Sequence, residues 1–412
     1  MAEEFLSTAA LRDELEGVTF DRPPALVSNA HITGLSVARA LSEHGVPVIA
    51  LDRNGDGVAP PSDAIDFAGE VTFPLDDLEG FREDVEAVVD AVGREVVAFG
   101  CMDEWALSYA AAEPEGVRLP FADSDVLDAV LNKSRLYATC EELGVPYPET
   151  HRLSETSVDE AAEALGFPLV VKPALKREFE EAFGTNVIEV ADREEFADVV
   201  EAAEAEGVEV MAQKRVNVAT GEDRSLASYV PPSGVEDALA VVGNARVRFP
   251  RSFGTSCLVE RVEDPTLRDR ALSVLDEADY YGISEAEFVY DADREEYLLL
   301  DVNTRPWKWI SMPVAAGANL PMAAYAAVTD ATYESEGIED ARWVYLRDYL
   351  SLLATDDAFW DVLSTTDWAS LLSGGFEESG TLTTGVYRPS DPDPAAKLIE
   401  TEFTDREYYC SC

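Results

Sequence analysis

Lysine is scarce in this chain of 412 residues, which has only Lys133, Lys172, Lys176, Lys214, Lys308 and Lys397. Basic residues of both kinds number 31 against 82 acidic ones, a net charge of −51. That balance excludes the basic footprint of a nucleic-acid binder. It does not describe a disordered acidic tail, because the acids are spread along the chain and 47% of residues are hydrophobic. Cysteine is also sparse and scattered, at Cys101, Cys140, Cys257, Cys410 and Cys412. An odd, unpatterned set suits reduced thiols in a cytoplasm better than a disulfide framework. The terminal Cys410-Ser411-Cys412 lacks the further ligands a metal site needs, and the three histidines show no partner spacing. Long apolar runs are missing too. None reaches the roughly 18 residues of a membrane span, and the acidic start MAEEFLSTAALRDELEG lacks the basic opening of a signal peptide. A cytoplasmic protein with no membrane partner is the expectation.

What is present is regular alternation. PALVSNA, VPVIALD and EVVAFGC read as strands, and GLSVARALSEHG and DDLEGFREDVEAVVDAVG as helices. Strand–helix alternation predicts an open parallel sheet over about residues 1–123. Ligands of such sheets bind beyond the carboxyl ends of the strands. That points to residues 28–33 and, in the loop MDEW, to Asp103–Trp105. Asp52 ends the second strand as a ribose-binding acid would, but SNAHITG offers only Gly34 where a G-x-G-x-x-G fingerprint is needed. A nicotinamide dehydrogenase is thereby disfavoured. From Ser124 the pattern changes. SDVLDAVLNKSRLYATCEELG reads as one helix and VPYPET as an extended connection. PLVVKPAL and VEVMAQKRV read as strands flanking a polar loop, KREFEEAFGTN, and a mainly antiparallel sheet follows. Residues 124–330 are expected to form a second domain, with subdomains of about 124–212 and 213–330. Residues 331–412 are read as a small accessory segment.

The stretch EAEFVYDADREEYLLLDVNTRP, residues 285–306, concentrates chemistry. It reads as a hairpin whose turn is centred near Arg294. Alternate strand residues share a face, so Asp301 and Asn303 lie together. The same turn sets Glu287 opposite Asp301 and Glu285 opposite Asn303. Opposed side chains stand roughly 4.5–5.5 Å apart at Cβ, and like charges there repel. A divalent cation would turn that repulsion into a site, since carboxylates and an amide carbonyl are hard oxygen ligands suited to Mg²⁺. Arg305 and Lys308 follow at once, placing cations beside the acids. The plain alternative is a solvated hairpin with surface charges.

Four segments together resemble the ATP-grasp superfamily. NKSRLYATCEELGVPYPET resembles its opening lysine helix, LGFPLVVKPA its phosphate-contacting strand, VMAQKRV its hinge strand and EFVYDADREEYLLLDVNTRP its metal-binding hairpin. They occur in the family's order. Residues before about 124 resemble its preceding Rossmann-like domain. ARVRFPRSFGTS and the W-K-W after DVNTRP resemble the carboxylate–amine ligase branch, which includes D-aspartate-ligase-like proteins. The last 80 or so residues are poorly covered. The resemblance implies a mixed α/β and α+β protein that uses ATP and Mg²⁺, with Mn²⁺ as an alternative ion. Lys133 and Lys172 would reach the phosphates. Gln213, Lys214 and Val216 would line the adenine, and Glu222 or Asp223 the ribose. Glu287, Asp301 and Asn303 would hold the metal, and Arg305 would steady the transferred group. Arg246, Arg248 and Arg251 cluster upstream of FGTS, and Arg248 in particular would recognise the substrate carboxylate. Arg246 and Arg248 are read as sharing a strand face.

Three departures from the family stand out. Asp301 replaces the commoner Glu, Lys214 stands where an acid is frequent, and the acidic phosphate loop has only Gly184, with Asn186 in place of a second basic residue. The implied reaction joins a small-molecule carboxylate to an amine through an acyl-phosphate, releasing ADP and phosphate. A carboxylase or carbamoyl-phosphate-type enzyme and a catalytically silent ATP-binding regulator are the alternatives. Nothing in the sequence fixes the substrates, or an oligomeric state such as a homodimer.

The acidity itself suggests adaptation to a salty cytoplasm, where self-repulsion is screened over about 3 Å at 1 M salt. Dialysis from molar KCl to about 0.05 M, where the Debye length is of order 14 Å, should cause a cooperative, salt-reversible loss of circular dichroism. A flat spectrum and melting temperature would remove the halophilic reading.

Overall fold

The computed structural model describes residues 5–402, apart from 175–178, 180, 181, 186, 252 and 253. Lys176, Arg177 and Asn186 of the acidic loop, and Cys410 and Cys412, lie outside the described residues. The first sheet is wholly parallel, in the order β3-β2-β1-β4-β5. Its strands are β1 (Ala25–Ser28), β2 (Val48–Asp52), β3 (Phe67–Glu70), β4 (Val96–Gly100) and β5 (Val117–Arg118). Strands β1, β2 and β4 are buried along their whole length, as a parallel sheet covered on both faces requires. The helix Leu78–Val92 leads into β4. Asp77 caps its start and Gly93 closes it at φ 71°, a left-handed conformation that glycine adopts without steric cost.

Two expectations about helices change. MDEW is not a loop, because Asp103 opens the helix Asp103–Ala112. A side chain at Gly100 would lie 2.4 Å from the Ala106 nitrogen, so only glycine lets this helix run back over the end of β4. The helix expected over residues 124–144 is two helices, Ser124–Leu131 and Lys133–Leu143. Asn132 breaks them with ψ 110°, and its side chain accepts from the Ser134 and Arg135 nitrogens. An Asn cap outcompetes helix continuation in this way because its oxygen satisfies the next helix's free N–H groups. Lys133 thus becomes the first residue of a helix, and its own N–H donates to the Ala174 carbonyl at 3.1 Å.

A four-stranded antiparallel sheet follows, in the order β6-β9-β7-β8. It comprises β6 (Thr150–Arg152), β7 (Leu169–Pro173), β8 (Ile188–Val190) and β9 (Val210–Lys214). The largest sheet has the order β14-β13-β10-β11-β12-β15-β16. Its strands are β10 (Asp223–Val230), β11 (Leu239–Phe249), β12 (Thr255–Val262), β13 (Gly282–Asp291), β14 (Glu296–Asn303), β15 (Arg342–Val344) and β16 (Leu382–Thr384). Its last two strands come from the segment after residue 330. One apolar core runs from Phe81 and Trp105 through Leu136 to Phe288 and Leu299. It joins the parallel sheet, the lysine-bearing helix and the acidic hairpin.

Asp391 ties the end of the chain back to the first sheet. It accepts Arg39 Nη2 at 2.8 Å, Ser62 Oγ at 2.6 Å and the Asp63 nitrogen at 3.1 Å. Arg39 and Asp391 are both buried. Removing one partner of a buried pair strands the other charge and costs about 3–5 kcal/mol. Asp391→Ala should therefore lower the free energy of unfolding by that much, read from the shifted midpoint of urea unfolding in high salt. A loss under about 1 kcal/mol, the range of exposed pairs, would show that this tie is peripheral.

Candidate functional site

The hairpin has the expected pairing where it matters, with Glu285 opposite Asn303 and Glu287 opposite Asp301. A bulge follows, since Phe288 pairs with Leu299 and leaves Leu300 as the extra residue. The bulge shifts the remaining register to an Asp291–Glu296 closing pair. At the turn Asp291 accepts the Asp293 nitrogen at 2.9 Å, and Glu295 takes a positive φ of 54°.

Four acidic or amide groups therefore share one face. The Asn303 amide nitrogen donates to Glu285 Oε2 at 3.1 Å and to Glu287 Oε1 at 3.0 Å. Lys133 reaches Asp301 Oδ1 at 3.0 Å, with both groups largely buried. From β11, Arg248 donates to Asp223 Oδ2 at 2.7 Å and lies 3.9 Å from Glu287. It also donates to the Gly254 carbonyl at 3.0 Å. Arg305 crosses to the first sheet, where its Nε donates to Asp103 Oδ1 at 2.9 Å. Asp103 lies beyond the end of β4, in one of the two regions where a parallel sheet is expected to bind ligands.

Burial and neighbouring charge set the electrostatics. Glu285 is 4% exposed; burial, and then Glu287, push its carboxyl up, while Arg305, the Asn303 amide and Arg248 favour its charged form. Burial also raises Asp223, against the pull of Arg248, and its second oxygen has no hydrogen-bond partner. At the end of β2, burial raises Asp52 to about 6. Asp52 accepts the Ala30 and Arg53 nitrogens at 2.7 and 2.8 Å. It shapes the loop after β1 by capping backbone groups.

The other expected residues are dispersed to different degrees. Lys172 stands half-buried on β7. Gln213 is buried, and its side chain donates to Thr150 Oγ1 at 2.9 Å and to the Tyr137 hydroxyl at 3.2 Å. Tyr137 in turn donates to the Leu300 carbonyl at 2.9 Å. Gln213 therefore ties β9 to the lysine-bearing helix, whose Tyr137 holds the hairpin bulge. Strand β9 is central, so Gln213 pairs with both Thr150 and Val170. Lys214 is exposed, 3.8 Å from Glu149. Val216 lies half-buried past the strand end.

The arginine cluster does not form. Arg246 pairs with Glu260 at 3.7 Å and Arg251 with Asp356 at 3.0 Å, both with exposed guanidinium groups. Register shifts on either side of Val247 send Arg246 and Arg248 to different partners, so they do not share a strand face. Lys308 also turns away from the acids. It donates to Asp348 at 2.7 Å and Thr255 at 3.1 Å and lies 4.4 Å from the centre of the Tyr345 ring. Asp103 and Glu285 are members of the cluster to which the sequence reading gave no role, although it placed Asp103 in a ligand-binding region and Glu285 opposite Asn303. Glu285 had a signal, its place opposite Asn303, whereas Asp103 depends on a contact about 200 residues away in sequence.

The donor set of Glu287, Asp301 and Asn303 is chemically suited to Mg²⁺. Among the described residues, however, no group of three or more His, Cys, Asp or Glu side chains is arranged to hold a metal ion. Lys133 already neutralises Asp301, and the Asn303 amide separates the two glutamates. Among the described residues no helix is long and apolar enough to cross a membrane.

No family model matches the chain. A D-alanine–D-alanine ligase of Pseudomonas fluorescens is 26% identical over 246 residues, covering 54% of this chain and 70% of that protein. A D-aspartate ligase of Enterococcus faecium is 24% identical over 214 residues, covering 49% of this chain and 50% of that one. The chain thus spans only half of the second relative. In structure, a biotin carboxylase from Campylobacter jejuni superposes with a TM-score of 0.62 at 15% identity, over 78% of this chain and 74% of that one. The chain has the ATP-grasp fold, and in sequence it is similar to these D-alanine–D-alanine and D-aspartate ligases.

Proposed function

We propose that this protein is an ATP-dependent carboxylate–amine ligase working through an acyl-phosphate. One observation carries the reading. The face holding Glu287, Asp301 and Asn303 meets Lys133 from one side, while Arg305 leaves the end of its second strand for Asp103. In the proposed reaction a carboxylate oxygen attacks the γ-phosphorus of ATP, and ADP leaves. The amine nitrogen then attacks the acyl carbon, phosphate departs with the C–O bond electrons, and the nitrogen loses its proton. Such transfers need positioning and charge stabilisation rather than a nucleophilic side chain. Lys133 and Lys172 hold the phosphates as point charges. Val216 and the neighbouring chain line the base, with Gln213 and Lys214 as their support, and Asp223 faces the ribose. Arg305 steadies the transferred phosphoryl group, and Arg248 recognises the carboxylate as an arginine fork. Glu287, Asp301 and Asn303 would hold Mg²⁺, which when bound neutralises charge on the phosphates.

A silent ATP-binding protein is the second reading, and one observation favours it. Lys133, Arg248 and Arg305 each already face an acid. ADP release that depends on both an added carboxylate and an added amine separates the two. A screen over amino acids and small carboxylates, in concentrated KCl with Mg²⁺, should find such a pair. Asp301→Asn should abolish most of that turnover without unfolding the chain. Stoichiometric AMP instead of ADP would overturn the mechanism. The choice of KCl follows the same proposal, in which the acidic chain works in a salty cytoplasm.

The Lys133–Asp301 contact adds a binding prediction. Lys133 occupies the carboxylate that a cation would take, so it would have to leave Asp301 for the phosphates on loading. Lys133→Met should weaken ATP yet raise the affinity for Mn²⁺ alone by about fivefold or more, within the usual range of site coupling. Calorimetry without nucleotide checks this, and unchanged Mn²⁺ affinity would exclude the competition.

A further inference from the structure

We infer that Glu285 is a positioning residue, which fixes the Asn303 amide so that its oxygen faces the cation. The inference rests on the metal role proposed for Asn303. Both amide hydrogens are engaged, one by Glu285 Oε2 and one by Glu287 Oε1. The oxygen Oδ1 accepts no hydrogen bond from the described residues. An amide placed between two carboxylates has one stable orientation. Rotated by half a turn, it would press its oxygen against anionic oxygens and leave its N–H groups unpaired.

The two glutamates are not equivalent. Glu287 stands opposite Asp301 and is exposed enough to turn toward a cation. When it does, it no longer orients the amide. Glu285 lies directly opposite Asn303 at the buried end of the face, 4% exposed, with Arg305 and Arg248 nearby as counter-charges. It alone keeps its bond and with it the amide's orientation. Partners of this kind behind a ligand typically change metal affinity by about 10–100-fold when removed. A glutamine there would not serve. It can meet Asn303 with either its oxygen or its nitrogen, so both orientations become available.

The test measures Mn²⁺ binding in saturating ADP by electron paramagnetic resonance of the free ion. Glu285→Gln should weaken Mn²⁺ about tenfold or more. Glu285→Asp keeps the charge but shortens the reach, so it should lose a comparable factor. An Asn303→Asp chain presents two oxygens and needs no orienting partner. In that background Glu285→Gln should cost less than about twofold. Equal losses in both backgrounds, or a Glu285→Asp variant that binds like wild type, would show that Glu285 acts only through its charge and would overturn the inference. Should Glu285→Gln alone fail to fold, Glu285→Asp and the double variant decide between these outcomes. Failure of the unsubstituted protein to bind Mn²⁺ with ADP would overturn the functional reading and this inference with it. Normal binding there, with Glu285→Gln unaffected, would overturn this inference alone.

Discussion

The register of one hairpin sets the electrostatic demand that the rest of the site answers. Pairing Glu285 with Asn303 and Glu287 with Asp301 gathers three carboxylates on one face. Two unit charges 4 Å apart interact with about 4 kcal/mol at an effective dielectric constant near 20. Such a face folds only if cations or hydrogen-bond donors approach it. They come from separate parts of the chain: Lys133 from the start of a helix, Arg248 from β11 and the Asn303 amide from the hairpin itself. Arg305 then carries the connection to Asp103 and the parallel sheet. Repulsion inside one hairpin is thereby converted into contacts between the sheets.

Those contacts explain what could be read in advance. The pairing near Asp301 was legible because two alternating strands and a short polar turn leave few registers, and a one-residue slip would exchange the two faces. The bulge at Leu300 was not legible. It arises where the Leu300 carbonyl is held by Tyr137, a tertiary contact with no local sign. The parallel sheet followed from the strand–helix alternation. The helix at Asp103 was missed because its reason is the close approach at Gly100, which no periodicity reports. The break at Asn132 had a visible cause, a capping residue before Lys133, but the apolar periodicity continued through it and masked the signal.

The scarcity of lysine was informative to a limited degree. Lys133 and Lys308 are buried and Lys172 and Lys397 half-buried, whereas Lys214 is exposed; the ion pairs of Lys214 and Lys397 are loose, at 3.8 and 3.9 Å. Rarity therefore marked positions with a specific partner without saying which partner. Lys308 shows the difference. Sequence proximity set it beside the acids, but Asp348, Thr255 and Tyr345 draw it to the chain's last segment. It fastens the loop after β14 to that segment, as Asp391 fastens the same segment to the first sheet.

Salt acts differently on these two kinds of charge. Exposed pairs such as Arg135–Asp128, with side chains 53% and 42% exposed, weaken as the Debye length shrinks. Lys133–Asp301, at 7% and 16%, is screened far less. Concentrated salt can therefore relieve the repulsion of a strongly acidic surface while leaving the buried pairs of the site intact. Screening of the surface does not depend on which counter-ion supplies it, whereas the hairpin face is met by particular donors at particular distances. That separation lets a chain of net charge −51 keep a structured acidic site. The excess charge lies where ions can screen it, and the acids with a specific geometry lie where they cannot.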